Sequence, residues 1–295
     1  MIYLLLVSLV WAFSFGLIKG NLAGLDAVFV AGVRLLISLL VFLPFLRLKG
    51  LKRKLVWQLL GIGALQYGVM YITYIASYPY LKAYEIALFT IFTPIYVTLI
   101  NDILQRKIHL FQMGLAALAV LGTGVVVYGG MRQSEVLTGF LLVQISNLCF
   151  AFGQVAYKAV LPLEVKVKEQ RLFGLLYLGG VLTTALASLF FTDWGAVAVS
   201  STQLWTLVYL GVVASGISFF LWNMGARRVE VGTLAIFNDL KVPLSILVSL
   251  LVFGEEANVL RLLIGGGIVL VALVISERGV RHPHLTSPNL PTDAN

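Results

Sequence analysis

Two charged side chains and a neighbouring amide lie in the middle of a long apolar stretch near the end of the chain. They are Lys241, Asp239 and Asn238. A charge at the centre of a membrane-spanning helix costs about 2.5–3.5 kcal/mol on insertion scales, so it needs a partner or a role in function. Residues two apart point to different sides of a helix, which argues against direct pairing of Asp239 with Lys241. We predict that these residues bind a polar or anionic molecule, with Asp239 also a candidate proton carrier; neutralisation of neighbouring helices is the alternative.

Two prolines are expected to break helices beside polar groups. Pro243 has no N–H to donate to the carbonyl of Asp239, and Pro94 likewise leaves the carbonyl of Thr90 without its helical donor. In carriers built from inverted repeats, such broken helices form the binding site near the bilayer midplane. We therefore predict that Thr90 and both prolines lie at a central cavity.

Further polar and aromatic side chains recur at helical spacing in three other apolar stretches. Ligand pockets are mostly apolar with a few placed hydrogen-bonding groups, which these stretches could supply. Hydrogen bonding between helices explains any one of these residues equally well. The additional candidate binding residues are Gln66, Tyr67, Tyr71, Asn147, Gln154, Trp222 and Asn223.

Two more charged residues lie near the predicted outer ends of spans. Glu85 falls in the first turn of its helix, where a carboxylate either carries protons or simply favours the positive end of the helix dipole. Arg34 lies about two turns below the outer surface. We expect Arg34 to have a structural or gating role by tying helices together, with attraction of an anionic solute as the alternative.

The elements that must position these residues are membrane-spanning helices. Of the 295 residues, 60% are hydrophobic and 12% charged, against roughly 25% charged in soluble domains. Because a span needs about 20 apolar residues, the chain has room for about ten spans and for no separate soluble catalytic domain. The predicted spans are 2–18, 27–46, 55–76, 84–104, 110–129, 136–157, 172–190, 204–225, 232–253 and 259–275.

Several other classes of protein are excluded by the same residues. The single cysteine, Cys149, allows no disulfide or cysteine metal cluster within one chain. The glycine runs lack the strand and lysine of nucleotide-binding motifs, and no plausible catalytic group assembles, so we expect no cofactor, no metal site and no enzyme. Most of the 21 basic residues fall in alternate loops, which places both termini in the cytoplasm and accounts for the net charge of +8 without nucleic acid.

The chain repeats itself about halfway along. Trp11 and Lys19 match Phe150 and Lys158 at an offset of 139, and Gly68, Ala87 and Phe89 match Gly216, Ala235 and Phe237 at an offset of 148. Each half then holds five spans, an odd number, so equivalent helices run in opposite directions. We predict one five-helix repeat in 1–130, an inverted second repeat in 131–276, and a disordered cytoplasmic tail in 277–295.

With these features in place, the whole chain before the tail resembles the EamA branch of the drug/metabolite transporter superfamily. The resemblance rests on the opening W-A-F-S-F with its lysine, on the arginine of the second span and on the paired prolines. It is strongest to members of the branch that import biotin. The stretches most similar to those members are Gln66–Tyr71, Leu88–Pro94, Thr138–Asn147, Gly211–Gly216 and Trp222–Asn223.

The resemblance implies an all-α membrane protein of ten helices around a central cavity. It implies a secondary carrier of the bacterial inner membrane that imports biotin by alternating access, driven by the proton gradient. The expected partners are a small-molecule carboxylate or amino acid and membrane lipid, with no ATPase subunit and with a monomer or dimer as the working unit. Lys241 would then bind the biotin carboxylate, amides such as Asn147 and Asn238 the ureido ring, and tyrosines the apolar part.

Two other functions stay open from the sequence. One is an exporter of amino acids or related metabolites from the same superfamily, in which the aromatic residues stack on substrate side chains. The other is a membrane scaffold that transports nothing. The cost of burying Asp239 and Lys241 argues against the scaffold.

Overall fold

The structure, a computed structural model, describes residues 2–104, 114, 118, 121–122, 125, 133–161, 169–229 and 231–280. All regular secondary structure in these residues is helical. The predicted span at 110–129 and the predicted tail beyond 280 lie largely or wholly outside them. The last described helix includes 277–280, the first four residues of the predicted tail.

Twelve α-helices follow one another along the described residues. The first six are α1 (Ile2–Asn21), α2 (Ala27–Phe42), α3 (Arg53–Gly63), α4 (Met70–Ala76), α5 (Ala83–Phe89) and α6 (Thr93–Leu104). The others are α7 (Gln133–Val160), α8 (Gln170–Phe191), α9 (Ser201–Tyr209), α10 (Ser218–Ala226), α11 (Val231–Leu251) and α12 (Val259–Val280).

Seven helical segments among the described residues are long and apolar enough to cross a membrane. Three of them combine helices that join end to end: α3 with α4, α5 with most of α6, and α9 with α10. The helices α11 and α12 have 21 and 22 residues, which is also about the length that a span requires. The ten-span arrangement stays a prediction, because most of 110–129 is not described.

Each of the three joined segments contains one short turn of altered helical geometry. Ala64–Val69 joins α3 to α4, and Leu210–Ile217 joins α9 to α10, both as π-helical turns, while Thr90–Phe92 joins α5 to α6 as a 3₁₀ turn. Such turns often occur at functional sites, because they leave helical carbonyls without their usual donors. Gly68 and Gly216, which match in the internal repeat, lie within the two π-helical turns.

The outer surface of the helical bundle is strongly apolar. Large hydrophobic side chains are most exposed on α8 and at the end of α11, where Leu189, Phe190 and Phe191 are each 74% exposed and Leu251 is 80% exposed. Soluble monomers rarely expose contiguous apolar surface of this kind. A lipid-facing exterior explains it, and the polar residues with buried side chains therefore face the interior.

Close backbone contact between α3 and α8 depends on glycine. A Cβ built on Gly63 would clash with the carbonyl oxygen of Leu176, and one built on Gly179 would clash with the carbonyl oxygen of Leu60. Small residues at helix crossings in membranes allow this close approach. The pair α3 and α8 thereby forms a rigid wall behind the π-helical turn that carries Tyr67.

We expect Gly63→Ala to destabilise the protein strongly, because the new methyl group can fit only if α3 and α8 move apart. The matched control is Gly61→Ala on the same helix, where an added Cβ meets nothing within 4 Å. The measurement is the thermal unfolding midpoint of the purified protein in detergent. Equal midpoints for the two variants would contradict the close contact.

Candidate functional site

A cavity lies at the centre of the described helices. The space between its atoms is about 530 Å³, which includes open space at its mouth. Seven helical segments contribute to its wall, so residues far apart in the sequence meet there. The lining residues are Trp11, Ser14, Phe15, Arg34, Met70, Tyr71, Tyr74, Thr90, Thr93, Ser146, Asn147, Phe150, Phe219 and Lys241.

Lys241 reaches this cavity from α11. Its side chain is only 4% exposed, and its Nζ donates a hydrogen bond to Asn238 Oδ1 at 3.0 Å. The ammonium lies 5.4 Å from the ring centre of Trp11 and 5.7 Å from that of Phe150, distances at which a cation is attracted to an aromatic face. Lys241 is therefore a buried cation held by one amide oxygen and two rings.

Arg34 forms a second cationic position on the cavity wall. Its Nε donates to Ser215 Oγ at 3.2 Å, and its Nη2 donates to the Tyr71 hydroxyl at 3.1 Å. The two hydroxyls lie 2.8 Å apart, and the guanidinium carbon lies 4.4 Å from the centre of the Tyr71 ring. Arg34 does tie helices together as predicted, and the structure also places it in the cavity.

Side chains donate hydrogen bonds to the backbone around the 3₁₀ turn that comes before Pro94. Asn147 Nδ2 donates to the carbonyl of Phe89 at 2.8 Å and to Gln144 Oε1 at 3.2 Å. The Thr90 carbonyl, which was expected to be free, accepts from Thr93 Oγ1 at 2.7 Å. Asn147 thus lines the cavity, but one of its amide hydrogens binds the backbone just before the 3₁₀ turn and the other binds Gln144 on its own helix.

Pro243 does not line the cavity, contrary to our prediction. Pro243 is exposed, whereas Asn238, Asp239 and Lys241 are buried. Positions 241 and 243 face different sides of the helix, and Pro243 lies one turn beyond Asp239, which does not line the cavity either. In α11 the carbonyl of Phe237 accepts a hydrogen bond from a residue of another helix, Ser8, whose Oγ lies 2.8 Å away.

Several of the other predicted binding residues form a buried layer behind the cavity instead of lining it. Gln66 Nε2 donates to Asn223 Oδ1 at 3.3 Å, and Asn223 Nδ2 donates to the Tyr67 hydroxyl at 3.0 Å. Trp222 is fully buried, with its ring centre 5.0 Å from that of Trp11. Among the described residues, Gln154 and Asp239 are also buried without lining the cavity. For Gln66, Tyr67 and Asn223, hydrogen bonding between helices accounts for their position.

Glu85 lies at the start of α5, away from the cavity. Its Oε2 accepts from the backbone N–H of Lys82 at 2.9 Å, which is a capping contact. Glu255, which sequence reasoning missed, accepts from the N–H groups of Ala83 and Tyr84 at 2.8 and 3.1 Å. Two carboxylates therefore cap one helix, and the helix-terminus interpretation of Glu85 fits the geometry.

We expect Glu85→Gln to preserve transport, because a glutamine oxygen can still accept the Lys82 N–H. The measurement is substrate uptake at several external pH values, compared with the unmutated protein at matched amounts in the membrane. A loss of dependence on the proton gradient in Glu85→Gln would instead make this carboxylate a proton carrier.

Sequence reasoning missed some of the aromatic residues of the cavity. Trp11 and Phe150 entered only as markers of the internal repeat, and Phe15 was not selected, whereas Tyr71 was predicted and lines the cavity. The ring centres of Trp11 and Phe150 lie 5.9 Å apart, and those of Phe150 and Phe219 lie 5.6 Å apart.

Within the described residues, no group of three His, Cys, Asp or Glu side chains could hold a metal ion.

Comparison with known proteins agrees with this architecture. The model of the EamA-like transporter family matches residues 1–128 and 137–277. The "Probable biotin transporter" of Pseudomonas aeruginosa is 38% identical over 283 residues, which cover 95% of this chain and 98% of that protein. The "Biotin transporter" of Escherichia coli K12 is 38% identical over 282 residues, covering 95% and 94%.

A solved crystal structure with 17% sequence identity supports the fold alone. It superimposes with a TM-score of 0.66, covering 95% of this chain and 98% of that one. The family match over nearly the whole chain, the relatives named as transporters and the apolar helices together describe a multi-pass membrane transporter. The chain belongs to the EamA-like transporter family.

Proposed function

We propose that this protein imports biotin across the bacterial inner membrane as a secondary active carrier. The observation that carries the proposal is a buried cavity lined by Lys241 and aromatic rings, in a chain similar over 95% of its length to proteins named biotin transporters. Biotin combines a carboxylate, an apolar chain and bicyclic body, and a cyclic urea. A mostly apolar cavity with a few charged and polar groups suits that combination.

Lys241 is the group that we assign to the biotin carboxylate. Of its three ammonium hydrogens, one is donated to Asn238, which leaves two for a pair of carboxylate oxygens. The rings of Trp11 and Phe150 shield the ammonium from water, so a charged partner gains more there than at an exposed site. Asp239, buried two residues away on α11, is the candidate that couples this binding to proton movement.

The apolar part of biotin is assigned to the aromatic wall. Trp11, Phe150 and Phe219 lie next to Lys241, and Tyr71 continues the wall towards Arg34. Rings bury a large area at low entropic cost and so suit a flat bicyclic ligand. The layer of Gln66, Tyr67 and Asn223 supports this wall from behind instead of contacting substrate.

The carrier is built, in our proposal, from two inverted five-helix repeats in 1–130 and 131–276. Residues that match in the repeat meet in the structure: the ring centres of Tyr71 and Phe219, offset by 148, lie 5.8 Å apart. The external donors to the Phe89 and Phe237 carbonyls are Asn147 and Ser8, which are themselves offset by 139. Both relations support a pseudo-twofold axis through the cavity, and the family model also matches two segments of the chain.

Transport follows from a rocking of these repeats about the cavity, which exposes it to each side of the membrane in turn. The excess of basic residues in alternate loops supports an orientation with both termini in the cytoplasm. Accumulation of biotin against its own concentration gradient requires coupling to a driving ion, for which we propose the proton.

Uptake of labelled biotin tests the proposal. Cells that lack their own biotin synthesis and transport would carry this protein or an empty vector, at limiting external biotin. We expect uptake that unlabelled biotin competes away and that an uncoupler abolishes. No uptake by protein shown to be inserted in the membrane would overturn the proposal, and efflux of amino acids from preloaded cells would then favour the exporter.

A further inference from the structure

Arg34 is a buried cation with one unused donor group. Its side chain is 2% exposed and lines the cavity. Nε and Nη2 donate to Ser215 and Tyr71, while Nη1 has no hydrogen-bond partner among the described residues. A buried guanidinium donor without an acceptor is unfavourable. An acceptor atom brought in by a ligand would remove that penalty with a small adjustment of the side chain.

The two cations of the cavity lie at opposite ends of a row of three rings. From Lys241 the row runs through Trp11, Phe219 and Tyr71 to Arg34, with successive ring centres 4.8 and 5.8 Å apart. Lys241 Nζ lies 5.4 Å from the first ring, and the Arg34 guanidinium carbon lies 4.4 Å from the last. This arrangement suits an elongated ligand that has an apolar body and an acceptor group at each end.

No carboxylate lines the cavity between these two cations. Among the described residues that form its wall there is no Asp or Glu. Buried cations of this kind favour ligands that are anionic or rich in acceptors and disfavour cationic ones. The cavity therefore favours an anionic or acceptor group of the ligand at two positions, beside Lys241 and beside Arg34.

The remaining hydrogen atoms indicate which end binds which group. The Nε and Nη2 side of Arg34 is occupied by hydroxyls, so the two-pronged contact that guanidinium makes with carboxylates through those two nitrogens is blocked. Nη1 and the second hydrogen of Nη2 remain, and both can donate to the two lone pairs of one carbonyl oxygen. Lys241 retains two ammonium hydrogens, enough for both oxygens of a carboxylate.

We propose that Arg34 is a second substrate-binding residue, which donates from Nη1 to the ureido carbonyl oxygen of biotin while Lys241 binds the carboxylate. The inference rests on the proposed function and adds the direction in which the substrate lies. It adds a role for Arg34 in selecting the urea end of the ligand to its contacts between helices.

Competition between biotin analogues tests this assignment. Purified carrier in detergent binds labelled biotin, which is displaced by unlabelled biotin, by 2-iminobiotin or by biotin methyl ester. In 2-iminobiotin the urea carbonyl is replaced by a group that is positively charged at neutral pH, and the ester lacks the carboxylate charge. The proteins compared are the unmutated carrier, Arg34→Gln, and Lys54→Gln, which removes an exposed positive charge on α3.

We expect the unmutated carrier and Lys54→Gln to bind 2-iminobiotin at least about tenfold more weakly than biotin. In Arg34→Gln, biotin affinity falls about tenfold to hundredfold, and the preference for biotin over 2-iminobiotin nearly disappears because the repelling cation is gone. The preference for biotin over its methyl ester, which depends on Lys241, persists. A merely structural role for Arg34 would weaken all three ligands by the same factor.

Two results would overturn the inference and leave the proposed function intact. One is unchanged rejection of 2-iminobiotin by Arg34→Gln, and the other is an equal loss of selectivity against the ester. If Arg34→Gln does not fold, Arg34→Lys keeps the charge but loses the planar donor. It is then expected to bind biotin more weakly while still rejecting 2-iminobiotin, and acceptance of 2-iminobiotin would count against the assignment. Failure of the unmutated carrier to bind biotin would instead overturn the proposed function.

Discussion

Biotin uptake is expected to fall to background when Lys241 is replaced by alanine, although the protein still inserts in the membrane. The substitution removes the cation assigned to the substrate carboxylate and leaves that carboxylate in a site walled by Trp11 and Phe150. Truncating one partner of a buried, hydrogen-bonded charge pair costs about 2–5 kcal/mol, which corresponds to a loss of affinity of about thirtyfold or more. The measurement is the initial rate of labelled biotin uptake across a range of concentrations.

Two further variants separate charge from shape at this position. Lys241→Met keeps the length and apolar stem of the side chain without its charge, and is expected to fail like alanine. Lys241→Arg keeps the charge and is expected to retain part of the uptake with a raised KM, because the bulkier planar group changes the contact with Asn238. Uptake by Lys241→Met at the unmutated rate, with equal protein in the membrane, would show that the carboxylate binds elsewhere.

The second large effect is expected at Asn147, through structure and not through direct contact with substrate. Asn147→Leu is similar in size but cannot donate to the Phe89 carbonyl or to Gln144 Oε1. Leaving buried acceptors without donors costs about 1–3 kcal/mol for each group. We expect a lower thermal midpoint in detergent and nearly complete loss of uptake. The reason is that the 3₁₀ turn, which places Thr90 and Thr93 in the cavity, loses the hydrogen bond between Asn147 and the Phe89 carbonyl.

The matched control for Asn147→Leu is Thr138→Leu on the same helix. Thr138 is exposed, and its hydroxyl donates only to the Ser134 carbonyl one turn away, so this change is expected to leave both the thermal midpoint and the uptake near their unmutated values. A stable Asn147→Leu protein that transports normally would mean that the turn does not depend on this amide. A stable protein with a changed preference among biotin analogues would mean that Asn147 contacts the substrate after all.

In the proposed binding mode Arg34 serves both packing and recognition. Its contacts with Ser215 and Tyr71 join α2 to the π-helical turn at Leu210–Ile217 and to α4. The same contacts hold the guanidinium rigidly beside the cavity. Preorganisation of this kind lowers the entropy lost on binding, so the tie between helices also favours recognition.

The sequence by itself determined that this is an all-helical membrane protein with costly polar groups inside. Apolar runs of about 20 residues leave the helix as the structure that satisfies its own backbone in lipid. Lys241 and Arg34 were selected as candidates because burying a charge in a membrane span costs free energy, whereas a solvated charge carries no such cost. The internal repeat stays a prediction, which rests on residue matches such as Trp11 with Phe150.

The tertiary structure alone decided which polar residues line the cavity and which form hydrogen bonds behind its wall. Gln66, Tyr67 and Asn223 have the same residue types and spacing as true lining residues, yet they hydrogen-bond to one another behind the wall. Pro243 faces outward although Lys241, two residues before it, faces inward. Sequence periodicity defines faces of a single helix, but how each helix is rotated within the bundle depends on packing against several others at once, and those contacts join residues more than a hundred positions apart.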